Sequence, residues 1–299
     1  MLTTTGILIL NKGEGLTSQA AVTRVRRLFG AAKAGHTGTL DPMATGVLPV
    51  LLGRATAASE FLLTGDKHYL ADLRLGLTTD TEDVTGTVTS RHEGPLPTPA
   101  EVRAAAERFL GDYDQVPPMY SALKQGGRKL CDLARAGVTV EREARRVVIH
   151  RLTVEPLPSG EFRLDVVCSK GTYIRTLCAD LGRALGTGGV MSALCRASAA
   201  GYSLAAAHTL EELTAMSEAE RAACLLPVES VFSSLAALSL PPFFARLCHA
   251  GCEIYLKKLG AALPLGTRVR LLDDEGFFAL GEVREYPDGP AVKPIRAFR

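Results

Sequence analysis

The chain has 299 residues, 46% hydrophobic and 22% charged, which suits one large domain plus a small one and excludes a disordered chain. A net charge of +2 does not by itself announce a nucleic-acid binder, and no apolar run is long enough for a membrane span. Seven cysteines, an odd number with no CxxC pair, argue against a disulfide framework or a zinc site and for reduced thiols in a cytosolic protein.

The N-terminal apolar run, ILIL, has no basic region before it and is too short for a signal peptide. Residues 6–10 (GILIL) read as a buried strand, followed by a turn, NKGEGLTS. Thr17 or Ser18 can cap a helix over residues 19–29, with Ala21, Val22, Val25, Leu28 and Phe29 on its apolar face and Gly30 ending it. Arg24, Arg26 and Arg27 lie mainly off that face, within a stretch (12–36) of five basic residues against Glu14 alone. Such a local excess can meet phosphates where the net charge gives no hint. Residues 33–53 (KAGHTGTLDPMATGVLPVLLG) place four glycines and two prolines around one acid, Asp41. Glycine allows close backbone approach, and Pro42 pushes Asp41 toward an extended conformation, so the segment reads as a tight loop holding one carboxylate. Taken alone, Asp-Pro among glycines is an ordinary turn.

The string GHTGTLDPMATGVLPV resembles the catalytic motif of the TruB family of pseudouridine synthases, which modify uridine-55 in the T-loop of tRNA. It departs from the family form chiefly at Met43, where leucine is usual, a change that conserves volume. The resemblance implies that Asp41 is the catalytic aspartate. It also implies that His36 fills the space left when the target base flips out of the RNA, offsetting part of the unstacking cost. The opening segment is similar to the family's DKPxGxTS, with Lys12 and Gly15 retained and Gly13 in place of proline, so Lys12 is a candidate substrate contact in a freer loop.

Residues 55–63 read as a short helix and 67–75 (KHYLADLRL) as a strand. The segment through Gly86 is similar to the family's K-x-Y and LGxxTDTxDxxG, which implies that Tyr69 is the active-site tyrosine. Its ring would stack on the base and its hydroxyl could take the proton from C5. This part of the chain is acidic, with eleven acids against five bases over residues 60–114. A loop (93–98) leads to an amphipathic helix over residues 99–110 capped by Thr98, and Pro117 and Pro118 force an extended segment. PPMYSALKQGGRKLCDLARAG is close to the family's PPxYSALKxxGxxLYxLARxG, with Cys131 where tyrosine is common. Residues 124–146 carry seven basic residues against three acids, and Lys124, Arg128, Lys129 and Arg135 are candidates to track an RNA backbone.

Residues 147–154 and 162–168 read as strands. In SKGTYIRTLCADL, Gly171 allows a turn and Thr172 can cap a helix. This resembles the family's CSKGTYIRTLxxDLG and implies that Arg175 pairs with Asp41 while Tyr173 helps wall the pocket. An arginine beside a carboxylate favours its charged form and fixes its orientation. Leu194 aligns with a family leucine that contacts the base, and Arg196 with a basic position of the family's LRR. From Leu210 the chain is Ala- and Glu-rich helix of linker character, and Pro241-Pro242 marks a boundary. Residues 268–272, 277–282 and 291–295 read as short strands around DDEG and YPDG turns, similar to the PUA-like β domain of bacterial members.

The resemblance thus implies an α+β pseudouridine synthase fold with a mixed, mainly antiparallel central sheet flanked by helices, spanning residues 1–239. Residues 240–299 would form a small PUA-like RNA-binding domain. The reaction breaks the C1′–N1 bond, turns the uracil and joins C5 to C1′. It needs neither metal nor organic cofactor, and no motif for either is present. Asp41 could attack C1′, add to C6 of the base or remove the C2′ proton. The expected partner is tRNA through its T-loop, with a cytoplasmic monomer needing no obligate protein partner. Two other readings are a non-catalytic tRNA-binding module and a synthase acting on another RNA inside a complex.

Overall fold

The computed structural model describes residues 4–299. In chain order it begins with β1 (Gly6–Lys12), α1 (Ser18–Leu28), β2 (Ala34–His36) and β3 (Thr45–Leu52), then a 3-10 turn (Gly53–Ala58) into α2 (Ser59–Leu62). Next come β4 (Lys67–Leu75), β5 (Leu77–Thr79), β6 (Val88–Arg91), α3 (Pro99–Glu107) and β7 (Gly111–Gln115). A small hairpin of β8 (Lys124–Gln125) and β9 (Arg128–Lys129) precedes α4 (Leu130–Arg135), β10 (Arg145–Pro156), β11 (Phe162–Cys168), α5 (Ile174–Ala184) and β12 (Gly189–Ala199). After β13 (Tyr202–Ser203), α6 (Leu210–Ala215) and α7 (Glu218–Ala223), the tail adds β14 (Ala237–Ser239), α8 (Pro242–His249) and β15 (Ile254–Tyr255). It ends with α9 (Leu256–Leu259), β16 (Arg268–Asp273), β17 (Gly276–Tyr286) and β18 (Gly289–Ala297).

The large sheet has the order β1-β3-β12-β4-β11-β10-β7, with β2 added to β3 and β13 to β12. Its pairings are antiparallel except β3 with β12, which run parallel through Thr45–Cys195 and Gly46–Arg196. The expected mixed, mainly antiparallel sheet is therefore present. Both faces of β1 and β3 are covered, which is why these two strands read as unbroken apolar runs, while β4 and β11 alternate buried with part-exposed residues. Along β1, Leu8 and Leu10 face a core shared with α1, α3 and α5, while Ile7 and Ile9 face a second core.

Helix α1 starts where the sequence indicates, because the Thr17 hydroxyl accepts from the Ala20 N–H. Thr98 likewise caps α3 through a reciprocal pair with Glu101. Thr172 does not cap α5. Its hydroxyl donates to the Ser169 carbonyl, and Tyr173 takes the cap position with no side-chain bond. The stretch from Leu210 is two short helices, α6 and α7, each opened by its own capping box.

The tail folds into a second sheet, β14-β16-β17-β18-β15, around a core that includes Leu240, Cys248, Val269, Leu271, Phe278 and Val292. This sheet recruits Ala237–Ser239, just ahead of the break expected at residue 240. It also packs back on the large sheet. Leu280 and Phe298 join Ile7, Val47, Leu51 and Phe232 in the second core.

Candidate active site

Asp41 lies in the loop between β2 and β3, and three neighbours fix that loop. Ser18, in the first turn of α1, donates its hydroxyl to the Leu40 carbonyl (2.9 Å) and accepts from the Leu40 N–H (2.8 Å). Lys12, at the end of β1, donates to the carbonyls of Gly13 (2.9 Å), Leu16 (2.8 Å) and Pro42 (3.2 Å). Arg196 of β12 donates to the carbonyls of Gly38 (3.0 Å) and Val47 (2.7 Å) from the far side. Inside the loop, Asp41 to Ala44 form a turn closed by the Ala44 N–H on the Asp41 carbonyl (3.0 Å), with Pro42 at the position where its fixed φ suits the turn. The carboxylate is left about one-third exposed at the mouth of a cavity of about 760 Å³.

Arg175 reaches Asp41 from the first turn of α5. Its Nε sits 2.9 Å from Oδ2 and its Nη2 3.5 Å from Oδ1, a two-point grip on the carboxylate. The same guanidinium donates to the carbonyls of Thr81 (3.0 Å) and Tyr120 (2.8 Å), and lies 3.8 Å from the Asp83 carboxylate. Asp83 is buried, and its Oδ1 accepts from the hydroxyls of Thr81 and Thr85 and from the Thr85 N–H. Three loops and one helix are thereby tied to a single side chain.

Tyr173, two residues before Arg175, is clamped by Gln115. The buried Gln115 amide donates to the Tyr173 carbonyl (2.9 Å) and accepts from its N–H (2.8 Å). This pair fixes the backbone at the N-cap position of α5, whose first-turn N–H groups receive no bond from a capping side chain. Burial pushes the Tyr173 phenol up from its ordinary value. Tyr69 stands on β4 opposite Arg196 of β12 and is nearly buried. Burial raises its phenol as well, and the Arg196 guanidinium beside it works in the opposite direction. Arg196 itself is 1% exposed.

Of the expected site residues, Asp41, Tyr69, Tyr173, Arg175 and Leu194 line this one cavity, although residues 41 to 194 span most of the large sheet. Lys12 and His36 do not line it. Lys12 is fully buried, and burial lowers its ammonium from the ordinary value while Asp41 draws it back up. Its three carbonyl partners hold the loop under Asp41, and they also tie down the Gly13 segment that the sequence presents as freer. His36 sits on β2 with its Nδ1 buried and without a partner. Burial and then the charge of Arg196 hold its imidazole below its ordinary value.

Sequence reasoning passed over Asp83, Gln115 and Ser18. Asp83 had a signal, as the last acid in the TDTxDxxG pattern that carried Tyr69. Ser18 had one too, as the last residue of the DKPxGxTS pattern that carried Lys12, whereas Gln115 had none, because it acts on backbone atoms far away in the chain. No group of three or more His, Cys, Asp or Glu among the described residues could hold a metal ion.

Two family models match the chain. One, described as TruB family pseudouridylate synthase (N terminal domain), matches residues 26–174, and one described as tRNA pseudouridylate synthase B C-terminal domain matches residues 175–233. The join between them falls at the start of α5, within the continuous large sheet. The chain is 44% identical over 280 residues to a protein of Chromohalobacter salexigens named tRNA pseudouridine synthase B, covering 94% of this chain and 91% of that one. It is 42% identical over 281 residues to a protein of the same name from Alkaliphilus oremlandii, covering 93% of each. Among solved structures, one titled as a crystal structure of a Cbf5-Nop10-Gar1 complex is similar at 25% identity with a TM-score of 0.72, covering 98% of this chain and 85% of that chain.

Proposed function

This chain belongs to the TruB family of pseudouridylate synthases, and on that premise we propose that it converts uridine-55 in the T-loop of tRNA to pseudouridine, with Asp41 as the catalytic carboxylate. The observation that carries the reading is the two-point Arg175–Asp41 pair at the mouth of a cavity walled by Tyr69, Tyr173 and Leu194. A uridine inside a folded T-loop must be flipped out to reach such a carboxylate. Leu194 and the Tyr69 ring offer flat apolar walls to the base, and Tyr173 closes the side next to Arg175. His36, kept neutral by burial, is suited to stack where the base has left.

Breaking C1′–N1, turning the uracil and joining C5 to C1′ leaves one proton to remove from C5. Tyr69 would take it as a phenolate, having first lost its own proton to solvent, and would end as the neutral phenol; the neighbouring Arg196 favours the phenolate before that step, against the effect of burial. Asp41 opens the sequence by attack at C1′, by addition at C6 or by removal of the C2′ proton. The fixed carboxylate serves each of the three.

Residues 1–239 carry out the catalysis, and residues 240–299 form a PUA-like unit that adds RNA contacts. The protein acts alone, as a monomer in the cytoplasm, where thiols stay reduced. The test is to incubate the full chain with an unmodified tRNA transcript and map pseudouridine. The expected result is product at the T-loop uridine with no added factor, and for Asp41→Asn no product with tRNA binding retained. Product from the Asn variant at the wild-type rate would overturn the assignment of Asp41.

A further inference from the structure

Glu82 stands between two residues that hold Arg175. The Thr81 carbonyl before it accepts from the guanidinium (3.0 Å), and the Asp83 carboxylate after it lies 3.8 Å away. Its φ is 64°, and among the described non-glycine residues only Ala200 shares that left-handed region. The conformation costs an ordinary residue about 1–2 kcal/mol, and glycine adopts it freely. The family's TDTxDxxG pattern specifies no residue at this position. What the glutamate adds is its side chain. The Thr176 hydroxyl donates to Glu82 Oε2 at 2.6 Å. Thr176 is 3% exposed and follows Arg175 in the first turn of α5. Burial raises the Glu82 carboxyl from its ordinary value, and the Thr176 bond and then the Arg175 charge draw it back down. A strained backbone and a half-buried carboxyl are both kept for one bond to the neighbour of Arg175.

The backbone of this segment is fastened to β12. The Glu82 carbonyl accepts from the Met191 N–H (3.1 Å), and the Val84 N–H donates to the Met191 carbonyl (3.0 Å). The turn at Glu82 thus brings Thr81 and Asp83 to the guanidinium while the Glu82 side chain reaches α5. On α5, the N-cap has no side-chain bond, and Gln115 holds the Tyr173 backbone. Arg175 therefore lies between two ties, Gln115 on residue 173 and Glu82 on residue 176. Thr81 and Asp83 line the cavity and Glu82 does not, so Glu82 acts through its neighbours rather than on a substrate. We infer that Glu82 is a positioning residue for the Arg175–Asp41 pair, fixing the first turn of α5 against the loop that receives the guanidinium through its bond to Thr176. A guanidinium displaced by about 1 Å loses its two-point grip on the carboxylate, and misplacement of that size is felt in the chemical step.

This inference rests on the reading of the chain as a uridine isomerase, which product from the wild type tests by itself. The experiment measures single-turnover rate, RNA affinity and melting temperature on a synthetic T-arm hairpin. The variants are Glu82→Gly, Glu82→Gln, Thr176→Val and the double variant Glu82→Gly with Thr176→Val. Glu82→Gly should react about tenfold more slowly with affinity within about twofold. Its melting temperature should stay within about 2 °C of the wild type, because relief of the left-handed strain offsets the lost bond. Glu82→Gln keeps an acceptor oxygen for Thr176 and should react within about threefold of the wild type. The double variant should be no slower than the slower single variant, because both changes break the same bond. A Glu82→Gly rate equal to the wild type would overturn the inference while leaving the isomerase reading intact. So would a Gln variant as slow as the Gly variant, rate losses that multiply in the double variant, or a rate loss that follows a fall in melting temperature. Absence of product from the wild type would remove the isomerase reading and this inference together.

Discussion

The Arg175 guanidinium is shared by Asp41, Thr81, Tyr120 and Asp83, so its position is set from four directions before any RNA arrives. Such preorganisation lets a carboxylate act on a ribose without first finding its own geometry. His36 makes a measurable claim at the same scale. Its imidazole is held below its ordinary value of 6.5 by burial and by Arg196, so the fold favours the neutral ring. The unfolded chain takes up a proton first as pH falls through 6.5, and stability drops with it. Between about pH 8 and pH 5.5 the wild-type melting temperature should fall further than that of His36→Gln, which thermal denaturation across that range would read directly. Asp41, Tyr69 and Arg175 were legible in the sequence because their motifs are long and ordered. Lys12 was legible as a retained residue and not in its role. A lysine beside a glycine-rich turn reads as an RNA contact, and only the fold shows that three carbonyls enclose it. Gln115 acts through backbone atoms, and sequence pattern carries no trace of such a partner.

Strand β3 decides where the loop of Asp41 can sit, because it changes partners along its length. One edge pairs with β1 throughout, while the other meets β12 at Thr45 and Gly46 and β2 from Val50 to Leu52. Pro49 falls in the gap between these two partners, where a missing N–H costs no ladder bond. At Gly46, φ is +103° and an added Cβ would overlap the Arg196 backbone. Gly46→Ala should therefore cost more than about 2 kcal/mol of stability, with loss of turnover at temperatures where the variant is still folded. Denaturant titration beside the pseudouridine assay would check both. The strands β1, β4, β10, β11, β16 and β18 were readable to within two residues, whereas β17 runs four residues past its expected end and β3, β7 and β12 were not read as strands. The small hairpin of β8 and β9 was not read, although Gly126 and Gly127, both at positive φ, form the kind of two-residue turn that hairpins favour. Its strands are two residues long and fully exposed, so no apolar alternation marks them.

Across the whole molecule, the basic side chains that carry little net charge are gathered on exposed elements. Arg24, Arg26 and Arg27 project from α1, and Lys124, Arg128 and Lys129 from the hairpin. The affinity for tRNA should fall steeply with salt, and Arg128→Ala with Lys129→Ala should lower the slope of log affinity against log salt by about one for each phosphate the two side chains neutralise. Filter binding between about 50 and 200 mM salt is the measurement, and an unchanged slope would remove the hairpin from the RNA interface. Phe232 meets Phe298 with ring centroids 5.3 Å apart and Phe61 at 5.1 Å, while Arg296 pairs with Glu60, so aromatic packing and an ion pair both join the C-terminal strand to the catalytic half.

The bonds from Arg196 to the carbonyls of Val47 and Gly38 join residues 149 and 158 positions apart. During synthesis the loop of Asp41 leaves the ribosome long before the strand that completes it. A chain stopped at residue 188 already contains Asp41, Tyr69 and Arg175, yet it lacks β12, which separates β3 from β4 and pins that loop. Such long-range pairings form late and all together. A purified fragment of residues 1–188 should show no turnover, and mixing it with a fragment of residues 189–299 should restore some only if the strand inserts. The half-made protein should thus lack turnover, with catalytic competence arriving with the closing of the sheet.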